Sequence, residues 1–205
     1  MNRLAASHPE WAFGYEDETW WSRLARPSLR AWAEADKPLR LVEQSVAKGD
    51  PDPKALAAYG FLVRVPQPDD TAEEEVWLRF VEGHPMSALT TQFLEWVCER
   101  LESLGKRALL LAWDNASWHV SKEVRTWVRE HNRRVKREGK GIRVVGCYLP
   151  IKSPWLNPIE PRWVHAKRKV VEPARLLSAQ ELADRVCAHF HCQHDDHLLI
   201  PEKVT

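Results

Sequence analysis

Residues 107–113 read RALLLAW, and this run constrains the fold more than any other stretch. A strand with one wet face alternates apolar and polar residues. A short, continuous apolar run is instead the mark of a strand covered on both faces. The chain must then supply helices to lie on either side of a sheet, and the neighbouring sequence does so. Residues 87–105 have a helical period, with Leu89, Phe93, Val97, Leu101 and Leu104 on one stripe and Gly105 placed to end the helix. Residues 120–134 put Val120, Val124, Trp127 and Val128 on one face, with Ser121 as the cap. Residues 142–149, IRVVGCYL, read as a second buried strand. Upstream, 10–17 reads as a strand ending near Asp17, 55–63 as a buried strand, and 75–83 alternates as a half-buried strand does. Residues 19–53 read as irregular, and KGDPDPK and PQPDDTAEE as loops. Strands first, then helix–strand–helix–strand–helix, is the order of an α/β sheet.

With 205 residues the chain can bury one sizeable core. It has no run of 18 or more apolar residues, so no membrane span is expected, and its first residues lack the apolar segment of a secretory signal. Four cysteines without a CxxC pair read as reduced thiols of a cytosolic protein. The net charge of +1 hides a division. Residues 120–170 hold 14 Lys/Arg and 4 Glu with no Asp, so the remainder is strongly acidic. Either this segment is a solvated helix face or it meets a polyanion.

The expected strand ends deliver acids. The first strand ends at Asp17, the strand 107–113 at Asp114, and the strand 142–149 leads to Glu160 in SPWLNPIEPRW. Sites in open α/β sheets form beyond strand ends. Each acid also has a structural reading. Asp17 could begin a turn, and Asp114 with Asn115 could make a strand-to-helix turn. Glu160 could close a capping box begun by Asn157 and Pro158, with Pro161 shifting the helix start by a residue or two.

LLLAWDNASWHVSKEV followed by LPIKSPWLNPIEPRWVHAKRKV resembles the catalytic core of DDE transposases, in the bacterial insertion-sequence branch of the Tc/mariner superfamily. GYEDETWW is similar to the family's first acidic motif, placing its acid at Asp17, with Glu18 the second choice. The resemblance spans about residues 10–172. It implies an RNase H-like fold, a mixed five-stranded sheet flanked by helices. An RNase H-like DDE catalytic domain is expected over 1–172 and a helical tail, packed on it or extending it, over 173–205. The helix-turn-helix domains that usually precede the family's first strand are expected to be absent.

The resemblance further implies metal-dependent DNA cleavage and strand transfer, with Asp17, Asp114 and Glu160 as catalytic acids and metal ligands. Two Mg²⁺ ions, with Mn²⁺ as substitute, would offset the mutual repulsion of three such carboxylates. Asn115 and His119 are placed near the site and assigned to support of the strand end and to phosphate contact. Lys152, Arg162, Lys167, Arg168 and Lys169 are assigned to DNA phosphates. Trp155 and Trp163 read as core residues before base-stacking ones. Expected partners are double-stranded DNA, as transposon ends and target, and either further copies of the chain or a partner chain carrying a helix-turn-helix. The expected place is the bacterial cytoplasm, at the nucleoid. The competing readings are a non-catalytic remnant that only binds DNA or oligomerises and, more remotely, a nuclease for RNA–DNA hybrids. The tail CAHFHCQHDDH (187–197) crowds two Cys and four His. It lacks a standard zinc-ligand spacing, and these residues are left out of the expected site.

Overall fold

The computed structural model describes residues 8–24, 44–66, 72–170 and 175–201. Residues 25–43 of the expected irregular stretch and 67–71 of the second loop lie outside them. Five strands, β1 (Trp11–Ser22), β2 (Ala55–Pro66), β3 (Ala72–Val81), β4 (Ala108–Trp113) and β5 (Arg143–Tyr148), form one sheet in the order β3-β2-β1-β4-β5. The β3-β2-β1 half is antiparallel, whereas β4 and β5 run parallel to β1. Helices α1 (Ser87–Ser103), α2 (Lys122–Glu138), α3 (Glu160–Lys169) and α4 (Ala179–Phe190) complete the fold. This is the mixed five-stranded, RNase H-like arrangement expected.

The sheet separates two cores. On one face Leu89, Phe93, Val97 and Leu101 of α1 and Val124 of α2 meet Tyr59, Phe61, Leu109, Leu111 and Trp113. On the other, Ile159 and Trp163 with Leu182 and Val186 of α4 meet Trp21, Leu56, Ala58 and Leu78. All six residues of β4 are buried, as a strand with both faces covered requires. Gly105, at φ +74°, ends α1 and sends its N–H to Glu102 O. Ser121 Oγ caps α2 by accepting from Val124 N at 3.1 Å.

Three expectations fail for physical reasons. β1 does not end at Asp17 but runs on to Ser22, because β2 keeps it paired as far as Ser22↔Ala55. β5 is not a buried strand. It forms the sheet edge, and only Val144 of its six residues is buried. Leu104 falls outside the buried stripe of α1, since the chain turns at this C-cap and leaves it 45% exposed.

Candidate active site

The register of β1 and β4 builds the site. Their pairing runs from Trp11↔Ala108 to Tyr15↔Ala112. Carried two residues further, it sets Asp17 level with Asp114, one residue past the end of β4. Adjacent strands lie about 4.8 Å apart, so the two acids start from neighbouring backbone positions. Asp17 therefore sits mid-strand, at the point where β1 has lost its β4 neighbour but keeps β2. Glu160 arrives from the far side of the cleft as the first residue of α3. Asp17, Asp114 and Glu160 line one cleft of about 270 Å³, together with Asn115, Lys152 and Asn157.

Each acid is held in its own way. Asp17 is buried, and its Oδ2 accepts a hydrogen bond from Trp163 Nε1 at 2.9 Å. The indole reaches that position because Gly60 lies opposite Asp17 on β2. A Cβ at Gly60 would stand 2.4 Å from Trp163 Cη2. Burial, then the charges of Glu160 and Glu18, push the Asp17 carboxyl up to about 8. Asp114 is half-exposed, and its Oδ1 accepts from Ala116 N at 2.7 Å and pairs with His119 Nδ1 at 2.8 Å. The bond to His119 holds its carboxyl below the ordinary aspartate range.

The capping-box reading of Glu160 does not hold. The N-cap is Ile159, in helical conformation and with no side-chain cap, while Asn157 Oδ1 accepts from Ile159 N instead. Pro161 has moved the helix start two residues beyond Pro158. The Glu160 carboxylate accepts no hydrogen bond among the described residues and is left to the cleft.

A second acidic group lies on the opposite face of β1. Glu16 and Glu18 alternate with Asp17 along the strand, so their side chains point the other way. Buried there, His119 places Nε2 3.1 Å from Glu18 Oε1 and 2.9 Å from Glu16 Oε2. Its ring stacks on Trp113 at 5.1 Å. Burial opposes a charge on His119, but the charge of Glu16 and the bonds to Asp114 and Glu18 outweigh it and raise its affinity for the proton. Burial and the charge of Glu18 push Glu16 up to about 7, and neither Glu16 oxygen accepts a hydrogen bond of normal geometry. Glu16, Glu18 and His119 bring ligand-type atoms within 4.8 Å of one another. Both ring nitrogens face carboxylates, however, and an imidazolium has no lone pair to give a cation. The group is an ion-pair cluster that braces Asp114 from behind.

Sequence reasoning assigned His119 to support of the strand end and to phosphate contact, and it missed Glu16 altogether. The signal was present: in a strand reading Glu16-Asp17-Glu18, acids two apart share a face. Trp163 is a core residue, as expected, and 2% exposed, but it also bonds Asp17; Trp155 is 75% exposed and is no core residue. Asn115 Nδ2 donates to Leu149 O at 2.6 Å, tying the turn after β4 to the end of β5. Of the expected phosphate contacts, Lys152 lines the cleft. Arg162 is paired with Glu74 of β3, and Lys167 Nζ lies 5.8 Å from the centroid of the Trp21 ring. Arg168 and Lys169 are exposed on α3. The five cations are therefore not one surface facing the cleft.

A mixed sheet of this order, with acids from β1, the end of β4 and the start of α3 lining one cleft, has the arrangement of an RNase H-like domain. The profile of the DDE superfamily endonucleases matches residues 70–183, more than half of the chain, and the chain belongs to that family. The matched span includes Asp114 and Glu160 but begins after Asp17. Among solved structures, the chain is similar to the Mos1 transposase paired-end complex with left transposon end, at TM-score 0.59 and 14% identity, over 91% of this chain and 49% of that one. It is similar to the Mos1 strand transfer complex at TM-score 0.58 and 13% identity, over 94% and 50%. The Mos1 mariner paired end complex with Mn gives TM-score 0.55 and 17% identity, over 89% and 48%. What these structures share with the chain is the fold, and the chain spans about half their length. A search of curated proteins gives no match. Among the described residues, no helix is long and apolar enough to cross a membrane.

Proposed function

We propose that the chain is the catalytic domain of a transposase, cutting and joining double-stranded DNA in a reaction that depends on divalent metal. The observation that carries this reading is that three acids, from β1, the end of β4 and the start of α3, line one cleft. Their chemistry fits Mg²⁺ or Mn²⁺, which take hard oxygen donors. Asp17 keeps Oδ1, Asp114 keeps Oδ2 and Glu160 keeps its whole carboxylate clear of hydrogen bonds among the described residues. Burial, and then the charges of Glu160 and Glu18, raise the proton affinity of Asp17, a cost that a bound cation would offset. These three residues would hold the ions. Bound there, divalent metal would supply activation of a hydroxyl nucleophile and charge neutralisation at the leaving oxygen.

The protein's own part is positioning. Trp163 Nε1 fixes Asp17, and His119 with Ala116 N fixes Asp114. Asn115 anchors the turn between them and β5. Lys152, at the cleft, holds φ at +58°, a conformation costing about 1–3 kcal/mol that tends to mark functional sites. Its ammonium suits a DNA phosphate beside the reacting one. Sequence recognition is then the task of helix-turn-helix domains, as another part of the protein or a partner chain.

The test is nicking of supercoiled plasmid with Mg²⁺ or Mn²⁺. The expected result is metal-dependent nicking that Asp114→Asn and Glu160→Gln abolish. Nicking that survives both substitutions defeats the site assignment. DNA binding without cleavage in either metal favours the non-catalytic reading.

A further inference from the structure

The tail contains a pair of imidazoles arranged as ligands are. His194 Nε2 and His197 Nε2 lie 3.4 Å apart. At their other ring nitrogens stand carboxylates from two different elements. Asp184 Oδ1 of α4 is 2.7 Å from His194 Nδ1, and Glu82 Oε1, just after β3, is 3.6 Å from His197 Nδ1. The amide nitrogen of Gln180 lies 3.1 Å from Asp184 Oδ1 and 3.2 Å from His194 Nδ1. With Asp184 Oδ1 at 2.7 Å as acceptor, the tautomer that carries the His194 proton on Nδ1 leaves the Nε2 lone pair aimed at His197. Both rings rest against Phe80, at centroid distances of 5.5 and 5.9 Å, and their side chains are 17% and 26% exposed.

We infer that His194 and His197 are a binding site for one late first-row transition-metal ion, with Zn²⁺ the natural candidate. The separation matches two nitrogens on one ion, since zinc–nitrogen bonds of about 2.0–2.1 Å in tetrahedral geometry put ligands about 3.3–3.4 Å apart. Carboxylates behind the outer ring nitrogens are the usual backing of metal-bound histidine, because they fix the tautomer and make the facing nitrogen more basic. Neutral imidazole prefers zinc, nickel and copper to magnesium, so this site and the carboxylate cleft select different ions. Water would complete the coordination.

The position gives the ion a structural role. Past α4 the chain turns at His191, φ +54°, and crosses the edge of the sheet. There Leu198 N bonds Phe80 O at 2.7 Å, and Leu199 exchanges hydrogen bonds with Gln92 of α1 at 2.8 and 3.2 Å. Residues 192–200 thus strap the α4 face to the α1 face. An ion on His194 and His197, backed by Asp184 and Glu82, pins that strap to α4 and to the β3 side together. The inference does not depend on the catalytic reading.

The test is equilibrium dialysis of the full chain against Zn²⁺ in excess Mg²⁺, with bound metal counted. The expected result is that wild type holds one more zinc per chain than His194→Ala or His197→Ala, and that Asp114→Asn keeps this ion. Melting curves in EDTA establish that the variants fold. Should either alanine variant fail to fold, Asp184→Asn, at a half-exposed carboxylate, serves instead and is expected to weaken Zn²⁺ binding about 10–100-fold. Equal zinc content in wild type and folded histidine variants overturns the inference. So does unchanged affinity in Asp184→Asn, or the absence of nitrogen-ligand absorption when Co²⁺ replaces Zn²⁺.

Discussion

Asp17→Asn should stabilise the metal-free protein, and the gain should depend on pH in a defined way. In the folded chain the carboxyl is pushed from the ordinary aspartate value of 3.8 to about 8. Between those values the folded state holds a proton that the unfolded state has lost, so wild-type stability falls as pH rises through this window. Each pH unit is worth about 1.4 kcal/mol. At pH 7 the accumulated penalty is about 4 kcal/mol, against a total stability of about 5–15 kcal/mol for a domain. Asparagine carries no charge to penalise, and its side-chain oxygen can still accept from Trp163 Nε1. Urea unfolding in EDTA at intervals from pH 4 to pH 9 reads the effect. The two proteins should differ least at pH 4, diverge in the variant's favour to about pH 8, and run parallel above it. Glu16 also titrates in this range, but it is present in both proteins and largely cancels. Added Mg²⁺ should narrow the gap by stabilising wild type more than the variant. Parallel pH profiles would refute the claim that burial and Glu160 hold Asp17 neutral.

The other predictions probe the two faces of β1. Gly60→Ala should cost about 1–3 kcal/mol by overpacking and weaken Mg²⁺ binding by titration calorimetry, because the new Cβ displaces the indole that fixes Asp17. His119→Ala should cost about 3–5 kcal/mol at pH 7 in denaturant unfolding, since it strands Glu16 and Glu18 without their cation. Glu16→Gln should do the reverse, becoming more stabilising as pH rises toward about 7, because burial and the charge of Glu18 outweigh the pairing of Glu16 with His119. Mg²⁺ binding at pH 7 should release close to one proton per chain, mainly from Asp17, and almost none at pH 9.5. Calorimetry in buffers of different ionisation enthalpy measures this, and a release that does not change with pH would count against it.

Much of the fold was legible because apolar patterning sets it. RALLLAW demanded cover on both faces, and the stripes of α1 and α2 provided it on one side. What escaped was set by neighbours rather than by local sequence. The length of β1 depends on β2 staying paired after β4 ends, and a single strand's residues do not carry that. β5 reads apolar, yet it lies at the edge of the sheet, and its own residues do not carry that. The capping box at Asn157–Glu160 was locally plausible, but Pro161 carried the helix start past it. The three acids of the cleft could be named from motif and strand position. Their partners could not, because Trp163 reaches Asp17 across 146 residues of sequence and His119 reaches Glu18 across 101.

The alternation of β1 explains why one short stretch, Glu16-Asp17-Glu18, can organise both aspartates of the cleft. The odd-numbered acid faces α3, where Trp163 takes one oxygen and Glu160 raises its proton affinity. The even-numbered acids face α2 and grip His119, whose other nitrogen grips Asp114. Asp17 and Asp114 are thus placed by the same strand through opposite faces of the sheet, and they come out electrostatically different: one holds its proton, the other gives it up readily. A strand shifted by one residue would send Asp17 into the histidine cluster and both glutamates into the cleft. Register is pinned here by the apolar residues either side, with Phe13 and Trp21 buried on the Asp17 face and Ala12 on the other. The packing that makes β1 a core strand is therefore also what aims its acids, and a substitution at Phe13 or Trp21 that loosens the register should damage the cleft before it unfolds the domain.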